Sequence, residues 1–307
     1  MLRSAGTTNK GAGMGRTSRR IAFAAALLGL VATAGVSAAV ADSGGGARDL
    51  APAGSTAPSL RALQGVNFIS TCRFSHRNND DLIVYPRQPG LSHEHSYVAN
   101  TTTNAFSTPS SLLQASTTCQ RPGDTAAYWM PTLLVDGQGV APLGATIYYR
   151  RKSLQPVTPF PAGFKMIAGN SKASTPQDPR VTFWNCGAET GIPPSSTPPA
   201  CPDGRGTTLR LHVNFASCWD GKSVDSTNHQ SHVAYPERGR CPATHPVAVP
   251  AISLIYRYPV NGSHEFALAS GSVYSGHADF VNAWNQDALA RLVNGCLNAL
   301  RHCGRGV

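Results

Sequence analysis

The sequence contains no Cys-x-x-Cys pair, no Gly-x-Ser-x-Gly elbow, no glycine-rich phosphate loop and no dinucleotide fingerprint. The first absence argues against a cysteine-held zinc site. The second, together with the lack of a βαβ pattern, argues against a serine-hydrolase triad, although Ser92 and Ser231 each stand beside a histidine. The last two remove nucleotides as ligands. There is no internal repeat, and past the N-terminal region no basic block beyond Tyr149-Arg150-Arg151-Lys152. Nucleic acid is therefore a poor partner, while weak attraction to acidic wall polymers is allowed.

What is present starts with an export signal. Residues 1–20 are basic and small, Ile21 to Val40 is an apolar run, and Ala39-Val40-Ala41 ends in a small-residue cleavage pattern. These are the three parts of a secretory signal peptide over residues 1–41. An uncleaved anchor is the alternative, since about 20 apolar residues span a bilayer. It would be the chain's one attachment to a membrane. Ser18-Arg19-Arg20 also resembles a twin-arginine signal. Cleavage removes five Lys/Arg and no acid, so the net charge falls from +10 to +5. All eight cysteines lie in the mature part. In a secreted, extracellular chain they read as disulfides; eight cysteines allow about 105 pairings, of which nearest-neighbour pairing, closing four loops, is the simplest.

Residues 42–60 are rich in Gly, Ala, Ser and Pro and read as a flexible linker. A single domain is expected over residues 61–303, with a tail at 304–307. Period-2 and β-branched runs predict strands near 65–70, 128–135, 145–150, 164–169, 181–186, 207–216 and 251–258. Residues 265–270 read as the hairpin partner of 251–258 across an Asn261-Gly262 turn. Helical spacing of apolar residues predicts one helix over 280–300. The fold class is α+β and β-rich: a β-sandwich or jelly-roll-like core with a C-terminal helix, stapled by disulfides.

Chemistry-bearing residues fall in three clusters. His93 and His95 share a face if the segment is extended. His229 and His232 align on a turn. His277 and Asp279 pair an imidazole with a carboxylate. The longest of these stretches, Cys218 to Pro236, adds Asp220, Asp225, Trp219 and Tyr235. Two chemistries fit. His93, His95, His232, His277 and Asp279 would bind a divalent metal (zinc, copper or manganese) that activates water. Or Asp220, Asp225, His229, His232 and Asp279 would do acid–base work on a glycosidic bond, with Glu94 a further carboxylate and Tyr235 a stacking surface for a sugar. For Trp219 the leading reading is a core residue against a disulfide.

The segments SHEH (92–95), TNAFST (103–108), AYWMPTL (127–133), FPAGFKMIAG (160–169), CWDGKSVDSTNHQSHVAYP (218–236), CPATHPVAVP (241–250) and GHADFVNAW (276–284) resemble the DUF1996 family of secreted actinobacterial and fungal proteins. In bacterial relatives the first motif reads SHxHxFFGN. Here Tyr97-Val98-Ala99-Asn100 replaces its aromatic-Gly part, which bears on any turn there that depends on glycine. The family has no settled activity. The resemblance implies a disulfide-bonded secreted domain in a cell-wall or polysaccharide context. The resulting expectation is a hydrolase-like protein acting on extracellular polysaccharide, with a non-catalytic polysaccharide-binding or structural wall module as the alternative.

Overall fold

The computed structural model describes residues 58–204 and 206–305. The expected signal peptide and most of the linker lie outside them. Eleven strands form the two main sheets. In chain order they are β1 (Asn67–Cys72), β2 (Phe74–Asn78), β3 (His95–Ala99), β4 (Ala127–Pro131), β5 (Gly144–Arg150) and β6 (Lys165–Gly169), followed by β7 (Thr182–Asn185), β8 (Leu209–Asn214), β9 (Ala251–Tyr258), β10 (His277–Val281) and β11 (His302–Gly304). One sheet has the order β11-β1-β5-β9-β8-β7, and the other β2-β3-β4-β10-β6. Neighbours are antiparallel except β1 and β11. The two sheets face each other over one core, as the alternation predicts. Phe68, Tyr149, Leu211, Leu254 and Tyr256 come from the first sheet, and Val98, Tyr128, Met166 and Phe280 from the second. Polar contacts bridge the layers as well: Tyr256 donates to the Ser96 carbonyl at 2.8 Å, and the hydroxyls of Tyr128 and Tyr149 meet.

The disulfides are Cys72–Cys119, Cys186–Cys201, Cys218–Cys241 and Cys296–Cys303, the nearest-neighbour set. Four disulfides, with no free cysteine among the described residues, fit an oxidising compartment. No helix among the described residues is long and apolar enough to cross a membrane.

Three sequence expectations are corrected. The strand expected near 128–135 breaks at Thr132 into β4 and Leu133–Val135, which belong to different sheets. The segment Phe266–Leu268 does not pair with β9; it pairs with Leu133–Val135 in a small sheet. Asp136 decides this. Its carboxylate accepts from the Glu265 amide at 3.0 Å and bonds His264 Nδ1 at 2.8 Å, pinning the returning chain to the other hairpin. The expected long helix is also shorter. Phe280 and Val281 are the end of β10, and the helix α1 spans Gln286–Leu292, running into a π-helical turn at Val293–Asn298. Asn285 starts it by accepting from the Ala288 amide, a side-chain N-cap that helical spacing alone does not reveal.

Candidate metal centre

In a strand, alternate residues face opposite sides. On β10, Ala278 and Phe280 point into the core, so His277, Asp279 and Val281 point outward. The same alternation sends His95 and Tyr97 of β3, and Trp129 of β4, to the outer face. Registry places Asp279 beside Trp129, and Trp129 beside Tyr97. This outer face is not solvated, because the loop between β2 and β3 folds over it and buries Leu82 and Ile83. The loop is tied at its neck by reciprocal bonds between Asn79 and Ser92, at 3.0 and 3.2 Å. Asp81 accepts from the amides of Ile83 and Val84, at 2.8 and 2.9 Å, which turns the loop and leaves Asp81 buried over the sheet.

His93, His95 and His277 converge here, with one ligand nitrogen from each within 4.8 Å of the others. The imidazole centroids of His93 and His95 are 4.2 Å apart, and those of His93 and His277 are 5.1 Å apart. A second group, Asp81, His95 and Asp279, meets the same limit, so five side chains share one volume around His95. The tautomers follow from backbone contacts. Nδ1 of His95 lies 3.1 Å from the Asp80 carbonyl, and Nδ1 of His277 lies 2.8 Å from the Ser275 carbonyl. A carbonyl only accepts, so each Nδ1 carries the proton and each Nε2 presents a lone pair. That is how metal-ligating histidines are usually held.

The site is electrostatically unfinished. Nε2 of His93, Nε2 of His95 and both carboxylate oxygens of Asp279 are buried and have no hydrogen-bond partner among the described residues. His277 Nε2 approaches Asp279 Oδ2 only to 3.9 Å, too long for a hydrogen bond. Burial pushes Asp279 well above the usual carboxylate range, and Asp81 adds to the shift. Burial pulls His93 and His277 each down to about 4, and takes His95 well below its ordinary value. The imidazoles are therefore neutral at physiological pH, the form that binds metals.

The other predicted site residues are elsewhere. The stretch from Cys218 to Pro236 straps the free edge of β6. The carbonyls of Val224 and His229 accept from the amides of Lys165 and Ile167, at 2.9 and 3.1 Å. His232 is a correction to the expected ligand set. Its Nε2 donates to the Lys165 carbonyl at 2.8 Å and its Nδ1 bonds Ser226 Oγ at 2.9 Å, so no lone pair is left for a metal. It serves the cover that an edge strand needs. We expect His232→Ala to lower unfolding stability by about 1–3 kcal/mol, because it strands a carbonyl. Urea denaturation measures this, and the metal content should stay unchanged.

Asp220 is likewise spent on a turn, accepting from the amides of Lys222 and Ser223 at 2.8 and 2.9 Å. Trp219 packs edge-on against Phe164 and donates to the Ser223 carbonyl, a packing role. Glu94 makes a surface contact with Arg77 at 3.5 Å. Asp225 and His229 form a half-buried group with Lys165. Asp225 bonds His229 Nδ1 at 2.7 Å and pairs with Lys165 Nζ at 3.1 Å. Both His229 and Lys165 are close enough to Asp81 to act on it electrostatically, so they stand at the rim of the buried cluster. Asp81 itself escaped sequence reasoning because Asn78-Asn79-Asp80-Asp81 has the composition of a plain turn. Only the fold-over of the loop gives it a role.

Residues 81–284 match the family model described as a domain of unknown function, DUF1996. No curated protein and no solved structure matches the chain. The matched region begins at Asp81 and includes every residue of the buried cluster.

Proposed function

We propose that this chain, which belongs to the DUF1996 family, is a secreted divalent-metal protein that hydrolyses cell-wall or extracellular polysaccharide. The ion would be held by His93, His95, His277 and Asp279. One observation carries the metal reading. Four buried ligand atoms, two imidazole nitrogens and two carboxylate oxygens, lack protein partners among the described residues, and the two groups of ligand atoms they belong to share His95. A buried unsatisfied polar group costs about 1–3 kcal/mol, and more if charged. A bound ion would remove that cost at all of these atoms that it reaches.

The donor set suits a first-row ion such as zinc, copper or manganese, because it is imidazole-rich with one carboxylate and all cysteines are in disulfides. Two ligands about 2.1 Å from a common ion are at most about 4.2 Å apart. Nitrogens within 4.8 Å of each other therefore need only a small inward adjustment. Such an ion supplies Lewis acidity and lowers the pKa of water. The chain's own residues set the rest. Asp80 and Ser275 carbonyls orient the imidazoles, Trp129 walls the site, and the Asp225–His229 pair at the rim is placed for proton transfer. His93 is the only partly exposed ligand, so solvent and substrate would enter on its side.

The depth of the cluster favours a second reading. Asp279 and His277 are only 1 and 3 % exposed, as suits an ion that stabilises a non-catalytic wall module. Both readings require the ion. Elemental analysis of the mature, oxidised protein should find about one equivalent of metal, and the His93→Ala/His95→Ala double variant should find none. No metal after incubation with zinc, copper and manganese in turn would overturn both. Hydrolysis of polysaccharide by the loaded protein, lost in His229→Ala while the metal is retained, would support the enzyme over the module.

A further inference from the structure

The six-stranded sheet has its own outer face, away from the core and from the histidine cluster. Arg150 of β5, Ser253 and Ala251 of β9 and Asn214 of β8 project there, in register with one another. With Tyr235 and Lys152 they line a groove of about 410 Å³. Ligand clefts typically run from about 300 to 1,000 Å³. A second cleft of about 300 Å³ shares Asp178, Val181 and Tyr235 with the first. It continues to Gly169 and Gln230 on the strapped edge of β6. There, Gly169 is the register partner of His277. The two clefts thus form one path from the outer face of one sheet to the strand next to the metal cluster.

Charge makes this path distinctive. Arg150 and Lys152 both reach the groove, and neither forms an ion pair with any described residue. Arg150 spends one nitrogen on Ser253 Oγ at 2.8 Å and lies 4.2 Å from the centroid of the Tyr148 ring, which fixes the guanidinium in place. Partial burial, and for Lys152 the neighbouring Arg150, depresses the basicity of both groups. A nearby carboxylate would relieve this. The only acid lining the groove, Asp178, is already bound by Arg180 at 2.6 Å. A part-buried guanidinium and an exposed ammonium lining one groove, neither ion-paired among the described residues, suit the binding of an anion. Tyr235 is 42 % exposed and held by a 2.8 Å bond from its hydroxyl to the Asn214 carbonyl, so its ring offers a fixed platform of the kind that stacks on a pyranose.

We propose that this groove binds an anionic glycan chain, with Arg150 and Lys152 on its acidic groups and Tyr235 on a sugar ring. The shared chemistry is a polyhydroxylated polymer carrying carboxylate or phosphodiester groups. This names the substrate class for the polysaccharide reading above and rests on that reading, but not on the ion.

Calorimetry on the mature, oxidised protein tests it, with a short oligogalacturonate, a poly(glycerol phosphate) and a neutral cello-oligosaccharide as probes. We expect an acidic probe to bind and the neutral one not to. Lys152→Ala and Arg150→Gln should each weaken binding about tenfold, and added salt should weaken it further. Metal content and melting temperature should stay near wild type in Lys152→Ala, so loss of binding is not loss of fold. Preference between uronate and phosphodiester assigns the anion. Equal binding of the neutral probe, no binding of any probe, or unchanged affinity in both variants would overturn the proposal. Because binding is read on metal-stripped as well as loaded protein, failure of the groove and failure of the metal centre are separately visible.

Discussion

Zinc added to the metal-free, oxidised domain is expected to raise its melting temperature by about 8–16 °C. A ligand that binds only the folded state stabilises by about 4 kcal/mol at a thousandfold excess over its Kd. For a domain of this size each kcal/mol is worth about 2–4 °C. The gain is large because the metal-free site carries a penalty that the ion removes. Asp279 is buried with both oxygens unpartnered, and the nitrogens of His93 and His95 are buried without donors. His95→Ala and Asp279→Asn should each abolish most of the shift. Asp279→Asn has a second signature: by removing the buried carboxyl it should leave the metal-free protein at least as stable as wild type at pH 7. A residue kept for packing would not behave that way. Scanning calorimetry of the three proteins with and without zinc, copper or manganese decides it. An equal shift in wild type and both variants would place the ion on surface histidines such as His264 or His245 instead.

The second large effect is with acid. In the unfolded chain a histidine titrates near 6.5. In the fold, His277 titrates at about 4. Above 6.5 both states are neutral, and no dependence arises. Between 6.5 and 4 the unfolded state takes up a proton that the folded state refuses, so stability falls as pH falls, by about 3 kcal/mol for His277 alone. His93 and His95 act in the same direction, as does His212, which stacks on Phe183 and titrates at about 3. Asp279 runs the other way. Its folded pKa is raised, so its penalty is present at neutral pH and eases as acid protonates the unfolded chain too. The histidines outnumber it, and a net loss of about 3–6 kcal/mol by pH 4 is a large part of a domain's usual 5–15 kcal/mol. Urea midpoints of the metal-free protein at pH 7, 5.5 and 4 should fall steeply, and His277→Gln should flatten the profile. A pH-independent midpoint would mean these imidazoles are solvated. In the loaded protein the same protonation competes with the ion, so metal release should coincide with the loss of stability.

One departure from the family pattern is resolved by the backbone. Where the resemblance has a glycine after the histidine motif, this chain has Ala99, and Ala99 adopts a φ of 69°. The left-handed turn that glycine would supply is kept, at a cost of about 1–2 kcal/mol for a residue with a Cβ. The turn ends β3 and allows Asn100 to donate its side-chain amide to the carbonyls of Leu112 and Thr125, at 2.9 and 2.7 Å. That ties the histidine strand to the loop beyond it. The geometry of the site outweighs the local strain.

The sequence by itself marked β1 and β4 to β9 and four of the five side chains around His95, but not β2, β3, β10 or β11. Period-2 alternation marks β8, and β-branched runs mark β5 and β9, because a strand buried on one face must alternate. Nearest-neighbour pairing was one choice among the roughly 105 open to eight cysteines, and the assembled fold selects it. His93, His95, His277 and Asp279 stood out through i,i+2 spacing, which on a strand means a common face. The tertiary structure decided which face, and what covers it. Asp81 enters the site only because its loop folds over the outer surface of the five-stranded sheet. His232 leaves it because an open sheet edge demands a donor for the Lys165 carbonyl. Short-range patterns can show that side chains point the same way. Which backbone groups are left wanting a partner, and so which side chains are free for a ligand, is settled only when the sheets are assembled.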